Sequence, residues 1–595
     1  MRTRFGWGLL LLAVGLWGCG QGSVPTPLPG EPDAPSAPVP VEPPVQPTPP
    51  TEPTSPPVTP PSEPPKAQPF AYPPLQTELA HLEVEVSPAV LEQMYADPHE
   101  RVEHPATVTV GGTRHPVTLR IRGGSSRGYP KKSWRIDFGK GVQVGGWRKH
   151  NLIAEMADRT MLVEKLAYDL LAGMGAPAPR TTFVRLSING RFQGVYLDIE
   201  RIDQAFVRAR EGFEDDDATV YRCGSQDCEL KPLTQKGSWQ AEWEKETNEH
   251  EGREDLEAFL DRVNHTPEPE LVEVLEQHLD VPSYLKVMVN DALISNEVIL
   301  DSGSYWIHDR QQARWTYVPW DYNNSASRWW PTYGLEMKPI VDRPLFAFSL
   351  FDNRVASMYA LRRPSAPAGY TPAFSNLTSR IARHPVLRER MLEVLERALE
   401  ELFTEQATHA RLEAMHALIA PYVAQDPYVN LNTEGQADQE GFAKFRKGLP
   451  YLKRYVTQRR AMLAKELVRV RGWKLQLALE AFDPRAGWVE LKNHGAQAMN
   501  LRDLVLTTSL RHTIPRLRGH APGDNVLLPE RTLGSGEVVR FTASELGLSF
   551  PSKGAIGLFD GTSVIGVHDF LFYGPLGSGE HYRRSPEDPL RWEVR

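Results

Sequence analysis

The chain has 595 residues, of which 41% are apolar and 24% charged, enough for two or three globular domains. Its formal net charge is −8, its isoelectric point is near 6.1, and no dense basic run interrupts it. That composition excludes a nucleic-acid binder held by phosphate neutralisation.

Arg2 and Arg4 precede the apolar run Leu9 to Leu16, followed by Gly18-Cys19-Gly20, the pattern of a bacterial export signal over residues 1–18. Leu16-Trp17-Gly18-Cys19 resembles a lipobox, with Trp17 where a small residue is usual. The resemblance implies that Cys19 is lipidated and anchors the protein to a membrane. Gly20 after the cysteine resembles an outer-membrane address. No later segment is apolar for long enough to span a bilayer. Residues 19–74 are expected to be a tether: from Val24 to Pro74 proline dominates, and such a stretch favours extended polyproline II rather than a core.

Folding is expected from about Leu79. Leu82 to Val86 alternates as a strand, and Ala89 to Tyr95 has the length of a short helix. Thr107 to Val110, Gly111-Gly112 and Val117 to Ile121 read as a hairpin. Gly123-Gly124, two serines and the flanking Arg122 and Arg127 form a donor-rich cationic loop suited to an anion. In the next strand Lys132, Trp134, Ile136 and Phe138 share one face, while Lys131, Ser133, Arg135 and Asp137 share the other. A lysine among apolar neighbours needs an anionic partner or a route to solvent. A helix follows from Met161 to Met174, stopped by Gly175 and Pro177. Phe183 to Ile188, Asn189-Gly190 and Gly194 to Ile199 form the clearest hairpin, ending at Glu200-Arg201-Ile202-Asp203. Once Cys19 is lipidated, Cys223 and Cys228 remain, and an exported pair this close is expected to close a small disulfide.

A helix over Val281 to Glu297 delivers the chain to a second hairpin, Asp301 to Asp321, which folds about Gln311-Gln312 and sets residue 302 opposite residue 321. Asp301 and Asp321 then meet at one end of the sheet, where two carboxylates suit a divalent cation and a proton acceptor. Acidic, solvated hairpin ends are the plainer alternative. Helices are expected over Val386 to Phe403, Ala407 to Val423 and Gly441 to Arg469, the last interrupted at Gly448 to Pro450, with charged residues on solvated faces. From Lys474 onward, short alternating strands and Gly- and Pro-rich turns predict a separate β-sandwich over 473–595. No HExxH or GxSxG motif supports a metal-dependent or serine hydrolase.

Three motifs, in order, resemble the spore-coat CotH kinase family: Arg122-Gly123-Gly124-Ser125-Ser126-Arg127 with Lys131 to Ile136; Asn189-Gly190-Arg191-Phe192-Gln193-Gly194-Val195-Tyr196 with Glu200 and Asp203; and Tyr317-Val318-Pro319-Trp320-Asp321. The stretch 473–595, with Trp488 to Asn493 and Leu501 to Leu506, resembles the lamin-tail domain. The fold these resemblances imply is α+β: an atypical protein-kinase-like fold of CotH type over 75–472, then an immunoglobulin-like β-sandwich. The activity implied is transfer of the ATP γ-phosphate, with Mg²⁺ or Mn²⁺, to Ser or Thr of an exported protein. Carried over, Asp301 is the catalytic residue and Asp321 the metal ligand, with Ser304 and Asn323 where the family has Asn and Asp. Lys132 and Arg122 are candidates for the nucleotide phosphates, and Glu200 for an ion-pair partner. A scaffold that keeps the fold without transferring phosphate is the alternative.

Overall fold

Two tight turns set the first half of the fold. Gly111 and Gly112 take φ of 56° and 79°, and Asn189 and Gly190 take 49° and 74°, left-handed values that a two-residue hairpin turn requires and that Gly and Asn reach most cheaply. They join β2 (His104–Val110) to β3 (Thr113–Arg122) and β6 (Thr181–Ile188) to β7 (Arg191–Glu200). With β1 (Ala80–Glu85), β4 (Ser133–Asp137) and β5 (Lys149–Ile153) these strands close a barrel in the order β1-β2-β3-β4-β5-β7-β6, sealed by the parallel β1–β6 pair. The computed structural model describes residues 68–223, 230, 243–296, 304–326, 338–347, 349–351, 374–508, 510, 524–561 and 566–595. Residues 68–595 form one compact unit; Cys19, the expected export signal and residues 19–67 of the expected tether lie outside the described residues.

Strand periodicity fills the barrel. Leu119, Ile121, Trp134, Ile136, Leu152 and Tyr196 point inward into one core, with Trp134 and Ile136 fully enclosed. The outward residues of β7, Val195, Leu197 and Ile199, join a second and larger core built mainly from helices. The described α-helices before Trp473 are α1 (Pro88–Ala96), α2 (Val163–Gly173), α3 (Gln204–Arg208), α4 (Glu254–His265), α5 (Leu271–His278), α6 (Val281–Ile294), α7 (Lys338–Val341), α8 (Asn376–Arg383), α9 (Pro385–Arg397), α10 (Glu405–Val423) and α11 (Gly441–Arg471); α1 and α3 lie outside this core, with Phe206 and Val207 of α3 in a small cluster beside Val220 and Ile307. No described helix is long and apolar enough to cross a membrane. Between barrel and helices lies an antiparallel sheet ordered β11 (Arg314–Val318), β10 (Ser304–Asp309), β8 (Thr219–Cys223), β9 (Trp243–Lys245). Tyr305 pairs with Val318, and the ladder runs from there to Asp309 with Arg314; residues 301–303 lie outside the described residues.

Three expectations are corrected. Helix α11 runs unbroken through Gly448 and Pro450. The proline removes one helical donor, but Tyr451, Leu452 and Tyr455 bury the next turn, and Gly448 lets Thr160 approach to where a Cβ would lie 2.9 Å from its Cγ2. The charged helix residues are not all solvated: Arg459 is fully buried and donates to the carbonyls of Ala292, Val341 and Arg343, and Arg380 to those of Val263 and Thr266. Ordered packing also begins before Leu79, at Gln68, because Phe70 and Tyr72 give the end of the proline-rich stretch apolar surface to bury.

After Trp473 the chain forms two main antiparallel sheets, Val538–Thr542, Trp488–Asn493, Leu477–Asp483, Tyr582–Arg584, Trp592–Val594 and Asn525–Leu527, Leu504–Thr507, Gly554–Asp560, Gly566–Tyr573, around their own core. This part is fastened to the helices. Asp569, fully buried, accepts from Arg383 Nη2 at 2.7 Å, Arg584 Nη2 and the Leu479 N–H at 3.0 Å. Burial alone would raise its pKa, but Arg584 and Arg383 hold the carboxyl below its usual value. Asp569→Ala leaves two guanidiniums buried without their carboxylate and should cost about 3–5 kcal/mol, measurable by denaturant unfolding.

Candidate active site

The alternation that fills the barrel also lays charge on its outer face. Inward Leu119, Ile121, Trp134 and Ile136 leave Arg120, Arg122, Ser133 and Arg135 outward, and Arg120 sits directly opposite Arg135. Like charges in that relation oppose folding. Glu103 is shared between them, 3.6 Å from Arg120 and 3.8 Å from Arg135. Arg122 makes no ion pair among the described residues; its guanidinium lies 5.4 Å over the Trp320 ring, and burial lowers its pKa. Facing this surface from the second sheet are Trp320, Tyr305 edge-on to it at 5.8 Å, and Arg222, in register with Tyr305. Arg222 pairs with Glu244 at 3.1 Å, and Arg201, just past β7, pairs with Glu246 at 2.6 Å. Arg201 also lies 3.6 Å from Asp203, so five guanidiniums meet four carboxylates in this part of the groove, and among the described residues the buried Nε atoms of Arg135 and Arg222 have no hydrogen-bond acceptor. Along the same outward face, Lys149 and Arg201 line a cavity of about 460 Å³ together with Gln143, Trp147 and Asp203.

At the other end of the groove the charge reverses. Asp321 feels Arg122, Glu155 and Glu164, and the Glu164 Oε1 accepts the N–H of Tyr322 at 3.1 Å. The Glu155 and Glu164 carboxyls face one another and share a side-chain hydrogen bond; among the described residues no backbone N–H or other side chain donates to either Glu155 oxygen or to Glu164 Oε2. Burial, then the neighbouring Glu164, raises the Glu155 pKa well above the carboxylate range, and burial pushes Glu164 up to about 7. Three non-glycine residues here hold left-handed backbone: Glu155 at φ 49°, Met161 at 58° and Asp321 at 69°. Strain of that kind persists where the surrounding structure enforces it. Asp158 organises the intervening loop, accepting from the N–H groups of Thr160, Leu162 and Val163 at the start of α2.

The residues expected from sequence fall into three groups. The Arg122 guanidinium and the Asp321 carboxylate are close enough to feel one another's charge. Asp301 lies outside the described residues, as does Cys228; Cys223 is disulfide-bonded. Lys132 does lie with the inward, apolar residues, but it meets no carboxylate: its Nζ donates to the Arg127 carbonyl at 2.7 Å, near the Tyr95 ring. Lys131 is the lysine with the ion pair, to Asp426 at 2.7 Å, and it also donates to the Val195 carbonyl at 2.6 Å. Glu200 does not pair with Lys132, because Arg180 and Arg210 already hold it at 2.7 and 2.6 Å. Ser304 is buried on the Trp306 and Tyr317 side of its sheet, the face opposite Tyr305, and Asn323 is half-buried in the turn after Asp321.

Sequence reading missed Arg120, Arg201, Arg222, Glu155 and Glu164. Arg120 was legible, two positions from Arg122 on an alternating strand; the others depend on pairings distant in sequence. Among the described residues no three Asp, Glu, His or Cys side chains converge closely enough to hold a metal ion. The groove does fit a polyphosphate, through its excess of guanidiniums.

A family profile described as CotH kinase protein matches residues 119–463. The chain is 25% identical over 367 residues to the inner spore coat protein H of Bacillus subtilis (strain 168), covering 59% of this chain and 90% of that protein.

The raised Glu164 pKa carries a pH dependence. A carboxyl whose folded pKa lies above its unfolded value near 4.5 contributes stability below that value and loses it as pH rises through about 7. Glu164→Gln keeps an oxygen for Tyr322 and cannot ionise. Its thermal midpoint relative to wild type should therefore be higher at pH 8 than at pH 5, and a pH series of melts of both proteins measures the difference.

Proposed function

Because the chain belongs to the CotH kinase family, we propose that it is an exported protein kinase, transferring the ATP γ-phosphate to Ser or Thr of another exported protein. The observation that carries this reading is the groove in which Arg120, Arg122, Arg135, Arg201 and Arg222 face the Asp321 segment. A polyphosphate is the ligand that turns such crowding of like charge into attraction. Among the described residues Arg122 forms no ion pair, though it feels the charges of Glu164 and Asp321. Bound Mg²⁺ or Mn²⁺ would supply further neutralisation of phosphate charge, with Asp321 as its described carboxylate and Ser304 and Asn323 as the neutral positions the family resemblance assigns. In this reading Asp301 orients the acceptor hydroxyl and accepts its proton. Lys132 shapes the neighbouring loop through the Arg127 carbonyl instead of meeting the phosphates. The protein is lipid-anchored through Cys19, and the part after Trp473, read as a lamin-tail-like sandwich, binds an envelope partner.

A second reading, a scaffold without transfer, is favoured by Ser304, whose buried hydroxyl lies on the far side of its sheet from the groove. Calorimetric titration of the protein with ATP and Mg²⁺ or Mn²⁺ separates the two. Under the kinase reading the wild type binds, Asp321→Ala loses the metal dependence, and Arg122→Ala weakens binding roughly 10- to 100-fold, the worth of a charge-assisted hydrogen bond. Asp301→Ala should then bind ATP yet transfer no phosphate. Absence of binding with either metal leaves the scaffold.

A further inference from the structure

The segment Gln68–Gln76 carries Pro69, Pro73 and Pro74, so it is extended and poor in donors before it meets anything. Several of the groups it has left are nevertheless engaged. The Phe70 N–H donates to Glu401 Oε2 at 2.7 Å, and Arg397 covers the Phe70 ring at 4.1 Å while donating to the Gln68 carbonyl at 2.9 Å. The Tyr72 and Thr408 hydroxyls share a hydrogen bond of 3.0 Å, and the Arg411 guanidinium lies 4.8 Å over the Tyr72 ring. Gln76 pairs with both backbone groups of Phe183 in β6, at 2.7 and 2.8 Å. The segment is a strap laid across the helices and onto the barrel.

Its grip is on α2. The Ala71 N–H donates to the carbonyl of Gly173, the last residue of α2, at 3.1 Å, satisfying a helix end that has no partner within the helix. Gly173 permits the approach: a Cβ there would lie 3.0 Å from the Ala71 oxygen. A second hold runs through Arg411, which donates to the Pro73 carbonyl at 2.8 Å and to Asp169 of α2 at 2.9 Å. Asp169 is completed by Lys165, one turn earlier, at 2.5 Å. At the opposite end of this rod, roughly 16 Å long at 1.5 Å per residue, Glu164 accepts the Tyr322 N–H beside Asp321.

We propose that the strap Gln68–Gln76 positions α2, and through Glu164 the Asp321 segment, so that releasing the strap loosens the candidate site from more than one helix length away. Phe70, Tyr72 and Arg411 act as positioning residues. The link from strap to Asp321 stands on the contacts above; only its consequence for nucleotide rests on the function proposed.

The test compares hydrogen exchange of wild type, the Phe70→Ala/Tyr72→Ala double variant and Tyr72→Phe in the full chain, following amides 317–326 and, as a control, 555–559 in the C-terminal sheets. The double variant should exchange about 5-fold faster or more over 317–326, with 555–559 unchanged. Tyr72→Phe keeps the ring under Arg411 and should stay close to wild type. Equal exchange over 317–326 in wild type and double variant, while the Ala71 amide speeds up, overturns the proposal. Should the double variant exchange fast throughout, the comparison passes to Arg397→Met, which releases Gln68 and Phe70 at the surface, and the same two outcomes decide. ATP and Mn²⁺ titrated into the same proteins separates this proposal from the kinase reading. Coupled exchange without nucleotide binding keeps the strap and sinks the kinase, while binding with uncoupled exchange does the reverse.

Discussion

Helix α2 has almost no face turned to solvent: ten of its eleven residues are buried, and Glu164, Lys165 and Asp169 are among them. A surface helix can leave its charges to water, but this one cannot, and an unpaired buried charge would unfold it. Each charge is therefore handed to a different part of the molecule. Glu164 goes to the Tyr322 backbone beside Asp321, while Lys165 and Asp169 join Arg411 from α10 and, through it, the strap. The apolar residues between them, Leu166, Leu170 and Leu171, sit in the helical core with the outward face of β7. One short helix thereby fixes the relation between barrel, helices and candidate site.

The barrel makes a different compromise. Its inner face is an ordinary apolar core, but its outer face over β3 and β4 sets guanidiniums against one another with one carboxylate, Glu103, between two of them. Packing for stability alone would alternate the signs across that pair. The excess of cations, the facing carboxyls of Glu155 and Glu164, and the left-handed backbone at Glu155, Met161 and Asp321 all lie along the same groove. Like charge and strained backbone gathered along one groove are what a site for a charged ligand would show.

Local signals in the sequence were strong where the structure is local. The Gly111-Gly112 and Asn189-Gly190 hairpins, the inward set of β4 and the pairing of Tyr305 with Val318 in the second hairpin follow from periodicity and turn chemistry, and the structure has them. What periodicity could not supply was the partner of a charge. Two adjacent lysines, 131 and 132, look interchangeable in the sequence, yet one bonds Asp426, 295 positions away, and the other a carbonyl 5 positions away. Even the reason for Gly194 is non-local: at φ 105° it leaves room for the Asp426 carboxylate, which would lie 2.0 Å from any Cβ there. Strand parity correctly set Lys132 among apolar neighbours, and the inference that it therefore needed an anion failed because a backbone carbonyl served.

Three buried aspartates, 169, 426 and 569, do similar work in different places. Each takes an arginine or lysine from a segment far along the chain: Arg411 to Asp169 across 242 positions, Lys131 to Asp426 across 295, and Arg383 to Asp569 across 186. Replacing such pairs with apolar residues often costs a protein nothing in stability, so their value here is better sought in what apolar contacts do poorly. Two greasy surfaces tolerate a slide of one residue or a rotamer change. A buried carboxylate held by one or two particular cations does not, because the slipped arrangement leaves those charges stranded in the interior. Asp426 in this way sets the helices against the barrel edge at β7, Asp169 ties α2 to α10, and Asp569 ties the C-terminal sheets to α8. Of these joints the one at Asp169 reaches the candidate site, because α2 also carries Glu164, which holds the Tyr322 N–H beside Asp321.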